Sequence, residues 1–393
     1  MTTEGFPREL LAQPKAARLA YFQSKVVAHP HLKEAHAALW QAIHRPAGAS
    51  LILVVGPTGV GKTTLRLGIE RQLLEEARSA MEHDPGYIPV VGLEAVAPES
   101  GNFKWKDYYT RALIALDEPL RAHKLDYGVR NVQRDGAGRL VMGQHVVASE
   151  LRWALEQCLR HRRPAAFLVD EAQHFKKMAS GRRLLDQMDT LKSLAGLTGT
   201  VHVLIGTYEL LSLANLSAQL SRRSLEIHFP RYRLEGAEEI ARFQSVLLTF
   251  QSHLPLRQAP DLAAQAEYFY ERCLGCVGVL KNWLDRTLAA ALDGDRDSLT
   301  PQDFERQAMP TGQRLRLARE IQAGEAALRE RGEGQAELRG LLGLNGEPNG
   351  WPDVQPDPPQ AASQRAPAAH GPKGRVGQRK PGRDPVGMAE HAG

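Results

Sequence analysis

One short segment of the chain has the residue types and spacing that bind the phosphates of a nucleoside triphosphate. Residues 56–63 are Gly-Pro-Thr-Gly-Val-Gly-Lys-Thr, which fits the pattern G-x-x-x-x-G-K-[ST]. The three glycines allow backbone conformations closed to other residues, so that N–H groups can point inward at phosphate oxygens. The helix expected after the loop adds the positive end of its dipole. The predicted nucleotide-binding residues of this phosphate loop are Gly56, Pro57, Thr58, Gly59, Val60, Gly61, Lys62, Thr63 and Thr64.

Two side chains of the loop and two carboxylates farther along the chain complete a predicted hydrolytic site. Lys62 can reach the β- and γ-phosphates, and the Thr63 hydroxyl can ligate Mg²⁺. Residues 166–171 are Ala-Phe-Leu-Val-Asp-Glu, an apolar strand that ends in acids. Asp170 is predicted to hold Mg²⁺ through water, and Glu171 to orient and deprotonate the attacking water. Such a pair is also common in a solvated turn, but its combination with the phosphate loop favours ATP hydrolysis.

Three further residues are candidates for catalysis, and each has a structural alternative. Thr207 follows a predicted strand, where its hydroxyl could hydrogen-bond the γ-phosphate or the attacking water. Its alternative role is the N-cap of the next helix. Arg222 and Arg223 stand at the end of that helix, from which a guanidinium could reach a neighbouring subunit's γ-phosphate. Their alternative role is a favourable interaction of cations with a helix C-terminus.

Alternating apolar runs and helical patterns place these residues at the strand ends of a predicted parallel sheet. A short branched run at 51–55, stopped by Gly-Pro, predicts a buried parallel strand, and apolar residues four apart predict a helix over 63–78. Ligands of such sheets bind beyond the carboxyl ends of the strands. Further strands are predicted at 87–96, 165–169, 201–205 and 225–229, further helices at 32–43, 105–120, 147–158, 184–191 and 210–220, and a long loop or short hairpin at 121–143.

The pattern changes after residue 233, where no further strand is predicted. Helical spacing alone continues to residue 308 and predicts a small all-α domain. From residue 345 the chain is rich in Pro, Gly, Ala, Gln and Arg, with too little apolar surface to offset its ordering entropy. The predicted domains are an N-terminal helical lead at 1–50, a P-loop ATPase core at 51–233, a helical lid domain at 234–310, a charged helix at 311–343 and a disordered tail at 344–393.

Composition is consistent with a soluble protein of two folded units plus tails. The chain has 393 residues and 42% hydrophobic residues, enough for a substantial core. A net charge of +5 and a pI near 9.1 suit a nucleic-acid partner, although basic tails would give the same total. No apolar run approaches the roughly 18–20 residues that a membrane span needs, and no signal-peptide pattern begins the chain. We therefore expect a cytoplasmic protein with no membrane partner.

The three cysteines are too few and too unevenly placed for a disulfide framework. They are Cys158, Cys273 and Cys276, a set typical of a reducing cytoplasm. Cys273 and Cys276 have zinc-ligand spacing, but no second pair or nearby histidine cluster completes a site. A structural role is therefore favoured for both.

Together these residues resemble the AAA+ ATPases, in which Thr207 would be sensor 1 and Arg222 or Arg223 the arginine finger. More narrowly, the chain resembles the transposition ATP-binding proteins of the TniB/TnsC group. The resemblance covers residues 22–292 and implies the AAA+ form of the P-loop NTPase fold, with its small helical lid. It rests on residues 51–64, 167–174 (Phe-Leu-Val-Asp-Glu-Ala-Gln-His), 206–231 and the glycine-containing lid signature Gly-Cys-Val-Gly-Val-Leu at 275–280.

This resemblance implies an ATP- and Mg²⁺-dependent regulator that oligomerises, as a ring or filament, on double-stranded DNA. Its implied partners are a transposase, which it recruits or activates, and a target-selector protein. A helical insertion before the strand that ends at Asp170 would face the DNA. Lys104, Lys106 and Arg111 are the candidates there for phosphate contacts, which give affinity without reading sequence. An ordinary solvated helix face is the alternative.

The lid departs from the family pattern at one position. AAA+ lids usually present a sensor 2 arginine around residues 275–281, where this chain has only Gly278 and Lys281. Either Lys281 substitutes for the arginine, or ATP is sensed without a lid cation.

Two other functions are compatible with the same core motifs. One is a secretion-accessory AAA+ ATPase similar to ExeA, although the sequence has no membrane span or peptidoglycan-binding segment. The other is a nucleotide-gated adaptor with little turnover, against which Glu171 argues.

Overall fold

The strand before the phosphate loop, β1 (Leu51–Val55), is buried along its whole length in the computed structural model. The structure describes residues 5–97, 103–117, 132–134, 140–142, 148–176, 182–214, 223–332 and 335–344. The other strands are β2 (Val90–Glu94), β3 (Val132–Arg134), β4 (Leu140–Met142), β5 (Ala166–Asp170), β6 (Val201–Gly206) and β7 (Ser224–His228). Five of them form one parallel sheet in the order β2–β5–β6–β1–β7, and β3 pairs with β4 in an antiparallel hairpin.

Helices connect the strands and continue after the last of them. The first eight are α1 (Lys15–Ser24), α2 (Pro30–His44), α3 (Lys62–Glu76), α4 (Arg78–His83), α5 (Trp105–Asp117), α6 (Ala148–Arg162), α7 (Arg182–Thr198) and α8 (Leu211–Ala214). Those after the sheet are α9 (Ala237–His253), α10 (Ala266–Cys273), α11 (Val277–Asp293), α12 (Pro301–Gln307), α13 (Thr311–Gly332) and α14 (Gln335–Leu341).

The sheet is covered on both faces because successive side chains of a strand point to opposite sides. Leu51, Leu53 and Val55 pack in one apolar cluster with α5, α6 and α7. Ile52 and Val54 pack in another cluster with α2 and α3. This arrangement confirms the predicted α/β class, a P-loop NTPase sheet of the AAA+ type sandwiched by helices.

Most predicted elements are present, and the differences lie at their ends. The helix predicted over 63–78 is two helices, because α3 ends at Glu76 and α4 follows. For residues 121–143 the sequence predicts a long loop or a short hairpin. The described part of this segment, β3 and β4, forms a hairpin. In the last strand Leu225 is 42% exposed, since β7 is at the edge of the sheet, and Phe229 is buried just beyond its end. The ends of the helices predicted at 105–120 and 210–220 lie partly outside the described residues.

The lid has an apolar core of its own, formed by α9 to α12 together with the N-terminal helix α1. Phe22 of α1 is fully buried in that core. The buried guanidinium of Arg18 donates to the Pro255 carbonyl and forms an ion pair with Asp297 at 2.7 Å. Within residues 1–50, α1 packs with the lid helices whereas α2 packs on the sheet.

The chain from Gln335 onward belongs to a second, separate unit, of which only residues 335–344 are described. The predicted disordered tail from residue 345 lies outside the described residues. Within the part of the chain that the structure describes, no helix combines the length and the apolar character that would span a membrane.

The predicted charged helix, α13, packs against the ATPase core instead of projecting into solvent. Its Ile321 is buried, and Gly324 lies so close to Tyr208 that an added Cβ would be 2.1 Å from the ring. Glu325, 6% exposed, is 2.9 Å from Arg231 and 3.2 Å from Arg233. Two arginines that follow β7 are thus neutralised by one carboxylate of this helix.

We expect Glu325→Ala to lower the free energy of unfolding by about 3 kcal/mol, because it leaves Arg231 and Arg233 without their shared counter-charge. Urea titration of the full chain measures this change. Glu330→Ala, an exposed position on the same helix, is the matched control and should change stability by less than about 0.5 kcal/mol. Equal stability of the two variants would contradict the buried ion-pair account.

Candidate functional site

The phosphate loop, Asp170 and Thr207 lie together because they end or follow three neighbouring parallel strands. In the register, Val55 of β1 pairs with Gly206 of β6, and β5 pairs with β6 on its other side. The Gly56 N–H donates to the Gly206 carbonyl at 3.3 Å, which ties the start of the phosphate loop to the end of β6. The sheet therefore brings the predicted phosphate loop, the acid and the hydroxyl together at the carboxyl ends of its strands, as its parallel topology requires.

The conformation of the phosphate loop depends on its glycines. Gly59 and Gly61 have φ values of +78° and +114°, a region that side chains disfavour. Gly56 has no room for a side chain, since an added Cβ would lie 2.3 Å from the Phe229 carbonyl oxygen. The first N–H groups of α3, which begins at the end of the loop, have no acceptor within their helix. The loop is thus shaped to present N–H groups to an anion.

Lys62 is buried and its charge is surrounded by partners. Its Nζ donates to the carbonyls of Gly56 and Pro57 at 3.0 and 2.9 Å. Burial lowers the pKa of Lys62, and the nearby carboxylates of Glu171 and Asp170 oppose that shift. The ammonium therefore lies between the loop and both predicted acids.

The two predicted metal ligands are in direct contact. Thr63 Oγ1 donates to Asp170 Oδ2 at 2.8 Å, and Arg66 Nε is 3.4 Å from the same oxygen. Arg66 also forms an ion pair with Glu70 through Nη1. A hydroxyl and a carboxylate are oxygen donors of the kind that Mg²⁺ prefers, so these residues fit the predicted metal. Sequence reasoning missed Arg66, which would compete with a bound cation for Asp170.

Glu171 follows Asp170 in a backbone conformation that is uncommon for a residue with a side chain. Its φ is +52°, and its N–H donates to Asp170 Oδ1 at 2.9 Å. The carboxylate accepts a hydrogen bond from Gln173 Nε2. The predicted base is therefore oriented by a residue two positions later, which no sequence pattern indicates.

Thr207 stands at an N-cap position without acting as a side-chain cap. It precedes the short 3₁₀ turn Tyr208–Leu210, and its hydroxyl makes no capping hydrogen bond. Among the described residues Thr207 Oγ1 is buried and has no hydrogen-bond partner. Its N–H donates to Gln173 Oε1 at 3.2 Å. The structure thus does not support the capping alternative, and the sensor role of Thr207 stays a prediction.

Two glycines of the lid signature approach backbone atoms so closely that no side chain would fit. The Gly278 N–H donates to the Gly59 carbonyl at 2.7 Å, and a Cβ on Gly278 would lie 2.6 Å from that oxygen. A Cβ on Gly275 would lie 2.1 Å from the carbonyl oxygen of Tyr232. The start of α11 is therefore fixed to the phosphate loop, and the turn before it is fixed to the segment after β7.

The polar and sulfur-containing side chains of this lid segment have partners in the lid or are buried. Lys281 Nζ donates to both carboxylate oxygens of Asp285 at 2.7 Å and lies 4.5 Å from the ring centroid of Phe22. Cys273 and Cys276 are buried thiols, and burial raises the pKa of Cys276 to about 12. The charge of Lys281 is thus neutralised by a carboxylate of its own helix, and its role as a substitute for the sensor 2 arginine stays a prediction.

A cavity of about 160 Å³ opens beside the phosphate loop and suits the base of a nucleotide. Its walls come from residues 25–32, 60–64 and 277–282, with Phe250. His29 in this wall is 4% exposed, and burial lowers its pKa to about 4, so its imidazole is neutral at physiological pH. No local sequence pattern indicates this cavity, because its walls come from four segments that are far apart in the sequence.

The finger candidates are only partly described. Arg222 lies outside the described residues. Arg223 is exposed next to Ser224, which pairs with Leu51 at the start of β1. At about 3.3 Å per residue, the start of β1 is roughly 13 Å from its end, where the phosphate loop begins. Arg223 thus lies at the opposite end of the strands from its own phosphate loop.

The candidate DNA contacts lie at the start of α5. Lys104, Lys106 and Arg111 are exposed. Arg111 Nε is 2.8 Å from Asp107, so its charge is partly neutralised. Trp105 between the two lysines packs against buried aromatic rings, which fixes the helix end that presents them. The geometry leaves Lys104 and Lys106 as the stronger pair of candidates.

A family model described as an AAA domain matches residues 44–213, which include the phosphate loop, Asp170, Glu171 and Thr207. The match covers the part of the chain that forms the parallel sheet and its phosphate loop, and it agrees with the AAA+ form of the P-loop NTPase fold. This match is broader than the TniB/TnsC group and does not test that narrower resemblance. No curated protein matches the chain.

Several solved structures are similar to the chain. The ORC2 protein of Aeropyrum pernix, in ADPNP–ADP complexes, has 14% identity and a TM-score of 0.47 over 73% of this chain and 70% of that one. The ORC1 protein of Aeropyrum pernix, in complex with DNA, has 16% identity and a TM-score of 0.49, over 75% of this chain and 68% of that one. A Walker-type ATPase of Pyrococcus abyssi has 13% identity and a TM-score of 0.45, over 83% of this chain and 88% of that one.

Gly278→Ala should weaken ATP binding roughly tenfold, because the methyl group would displace the Gly59 carbonyl and with it the phosphate loop. Titration of a fluorescent ATP analogue measures the Kd. Gly312→Ala is the control, since nothing lies within 4 Å of a Cβ at that position. The same Kd for both variants would show that the lid contact does not shape the loop.

Proposed function

We propose that this chain binds ATP with Mg²⁺, hydrolyses it to ADP and phosphate, and uses the cycle to regulate DNA transposition. ATP binding would assemble copies of the chain on double-stranded DNA, where they recruit or activate a transposase, and hydrolysis would reset the assembly. The observation that supports the hydrolytic part best is the 2.8 Å contact between Thr63 Oγ1 and Asp170 Oδ2 beside the buried Lys62. It brings the two halves of the predicted site, far apart in the sequence, into hydrogen-bond contact.

The triphosphate is bound by the phosphate loop and the start of α3. Free N–H groups of the loop donate to the phosphate oxygens, and Lys62 exchanges its carbonyl partners for β- and γ-phosphate oxygens. The nucleoside end extends into the cavity under α11. Gly278 and Val279 both donate to the Gly59 carbonyl, at 2.7 and 3.2 Å, so the lid and loop bind the nucleotide as one surface.

Hydrolysis requires a base, a stabilised γ-phosphate and a water held in line. Glu171 accepts the proton of the attacking water, and the Thr207 hydroxyl, which has no partner among the described residues, donates to the γ-phosphate or to that water. Mg²⁺ held by Thr63 and Asp170 would neutralise charge on the phosphates. Arg222 or Arg223 would stabilise the transition state in the site of a neighbouring copy.

The DNA and transposition part of the proposal is supported by the sequence resemblance and by exposed charge. The resemblance to the TniB/TnsC group includes residues 51–64, 167–174 and 206–231. Lys104 and Lys106 are exposed on α5 and its preceding turn, where they can contact backbone phosphates without reading bases. A transposase and a target-selector protein are the proposed partners.

Glu171→Gln should keep ATP affinity within about threefold of wild type and lower the turnover number by at least about 10²-fold, because the amide cannot accept the proton of the water. Lys62→Ala should instead lose binding. Phosphate release and ATP-analogue titration on the two variants separate these effects. Unchanged hydrolysis by Glu171→Gln would show that another group is the base.

Duplex DNA should bind more tightly with ATP than with ADP at a fixed salt concentration. In Lys104→Ala/Lys106→Ala, the slope of log K against log salt should fall by about 2, roughly 1 for each phosphate that is no longer neutralised. Lys33→Ala, an exposed lysine on α2, is the control and should leave the slope unchanged. Fluorescence anisotropy over a salt series gives both quantities. Equal affinity in ATP and ADP would contradict the nucleotide-controlled assembly.

A further inference from the structure

We propose that Gln173 is a positioning residue that sets the geometry of Glu171 and Thr207 together through a single side-chain amide. The inference deepens the proposed ATP hydrolysis and rests on it. The predicted water-activating carboxylate and the predicted γ-phosphate contact follow different strands. Gln173 is a side chain that touches both.

The orientation of the Gln173 amide is fixed by the chemistry of its two partners. Its Nε2 donates to Glu171 Oε2, and its Oε1 accepts from the Thr207 N–H at 3.2 Å. A carboxylate can only accept and a backbone N–H can only donate, so the amide cannot be flipped without losing both bonds. Of the side chains of this length, only the amide of glutamine supplies a donor and an acceptor at once without having to bind a proton.

The surroundings hold this amide in one place. Gln173 is 9% exposed and lies in the 3₁₀ turn Ala172–Lys176, in which Ala172 and Phe175 are buried. On the opposite side is Gly206, where an added Cβ would lie 2.4 Å from Gln173 Oε1. The missing side chain at 206 therefore makes the space that the amide occupies.

The bond to Thr207 leaves its hydroxyl free. Because Gln173 takes the N–H of Thr207, the backbone there is fixed, while Oγ1 is buried without a partner among the described residues. A γ-phosphate contact made by Oγ1 would thus be transmitted through one residue to Glu171. Loss of the amide should slow the chemical step and leave ATP binding almost unchanged, since neither bond contacts the phosphate loop.

The test compares Gln173→Glu and Gln173→Met in the full chain. The glutamate keeps the size but turns an acceptor toward Glu171, and the methionine keeps the length without either hydrogen bond. Both should lower single-turnover hydrolysis by roughly 10²-fold, the order of loss expected for a misplaced catalytic group. The Kd for ATP should stay within about threefold, and thermal melting of each variant establishes that it is folded.

Gly206→Ala provides a second route that removes no hydrogen-bonding group. The new methyl should displace the Gln173 amide and reproduce the loss of turnover. Gly196→Ala is its control, because nothing lies within 4 Å of a Cβ there. If Gly206→Ala is folded and fully active, the inference is overturned.

A double-variant cycle distinguishes positioning from a merely structural role. If Gln173 acts in part through Glu171, then Gln173→Met should lower turnover by a smaller factor in the Glu171→Gln background than in the wild type. If the losses in turnover from the two substitutions simply multiply in the double variant, the inference is overturned but the proposed ATP hydrolysis is not. Wild-type turnover in Gln173→Met alone would have the same consequence. A wild-type chain that binds ATP but never hydrolyses it would overturn both the inference and the proposed function.

Discussion

The whole site depends on β1 being a central parallel strand with both faces buried. Since β6 and β7 flank β1 and run parallel to it, the segments that follow these three strands all begin at the same end of the sheet. That constraint explains why Asp170 and Thr63 meet although they are far apart in sequence. It also explains why Lys62 can be buried, because the carboxylates at that edge offset part of the cost of removing an ammonium from water.

Close backbone approaches join the lid to this edge, and they explain the glycines of the lid signature. Gly278 against Gly59 and Gly275 against Tyr232 are contacts in which any Cβ would meet a carbonyl oxygen. Hydrogen bonds from the Gly278 and Tyr232 N–H groups use the same approaches. The two glycines of the signature therefore form a surface on which backbone docks.

Local patterns were sufficient to predict the sheet and the residues that follow its strands. Short branched runs predicted β1, β5 and β6, and the phosphate loop and the acids followed directly from them. The same patterns could not show Gln173, because a glutamine in a turn has no periodicity and its two partners follow different strands. The cavity beside the phosphate loop could not be predicted either, because the segments that form its walls are far apart in the sequence. Phe22 shows the limit most clearly, since nothing local in α1 indicates that it packs with the distant helices of the lid.

Helix α13 connects two parts of the molecule that are far apart in the sequence. Gly324 rests on Tyr208, the residue after Thr207, while Glu325 binds Arg231 and Arg233 on either side of Tyr232. The Tyr232 N–H donates to the carbonyl of the turn that leads into the lid. Helix α13 therefore contacts both the turn that follows β6 and the segment that leads from β7 into the lid. Separating the helix from that segment would break a buried ion pair whose loss costs about 3 kcal/mol.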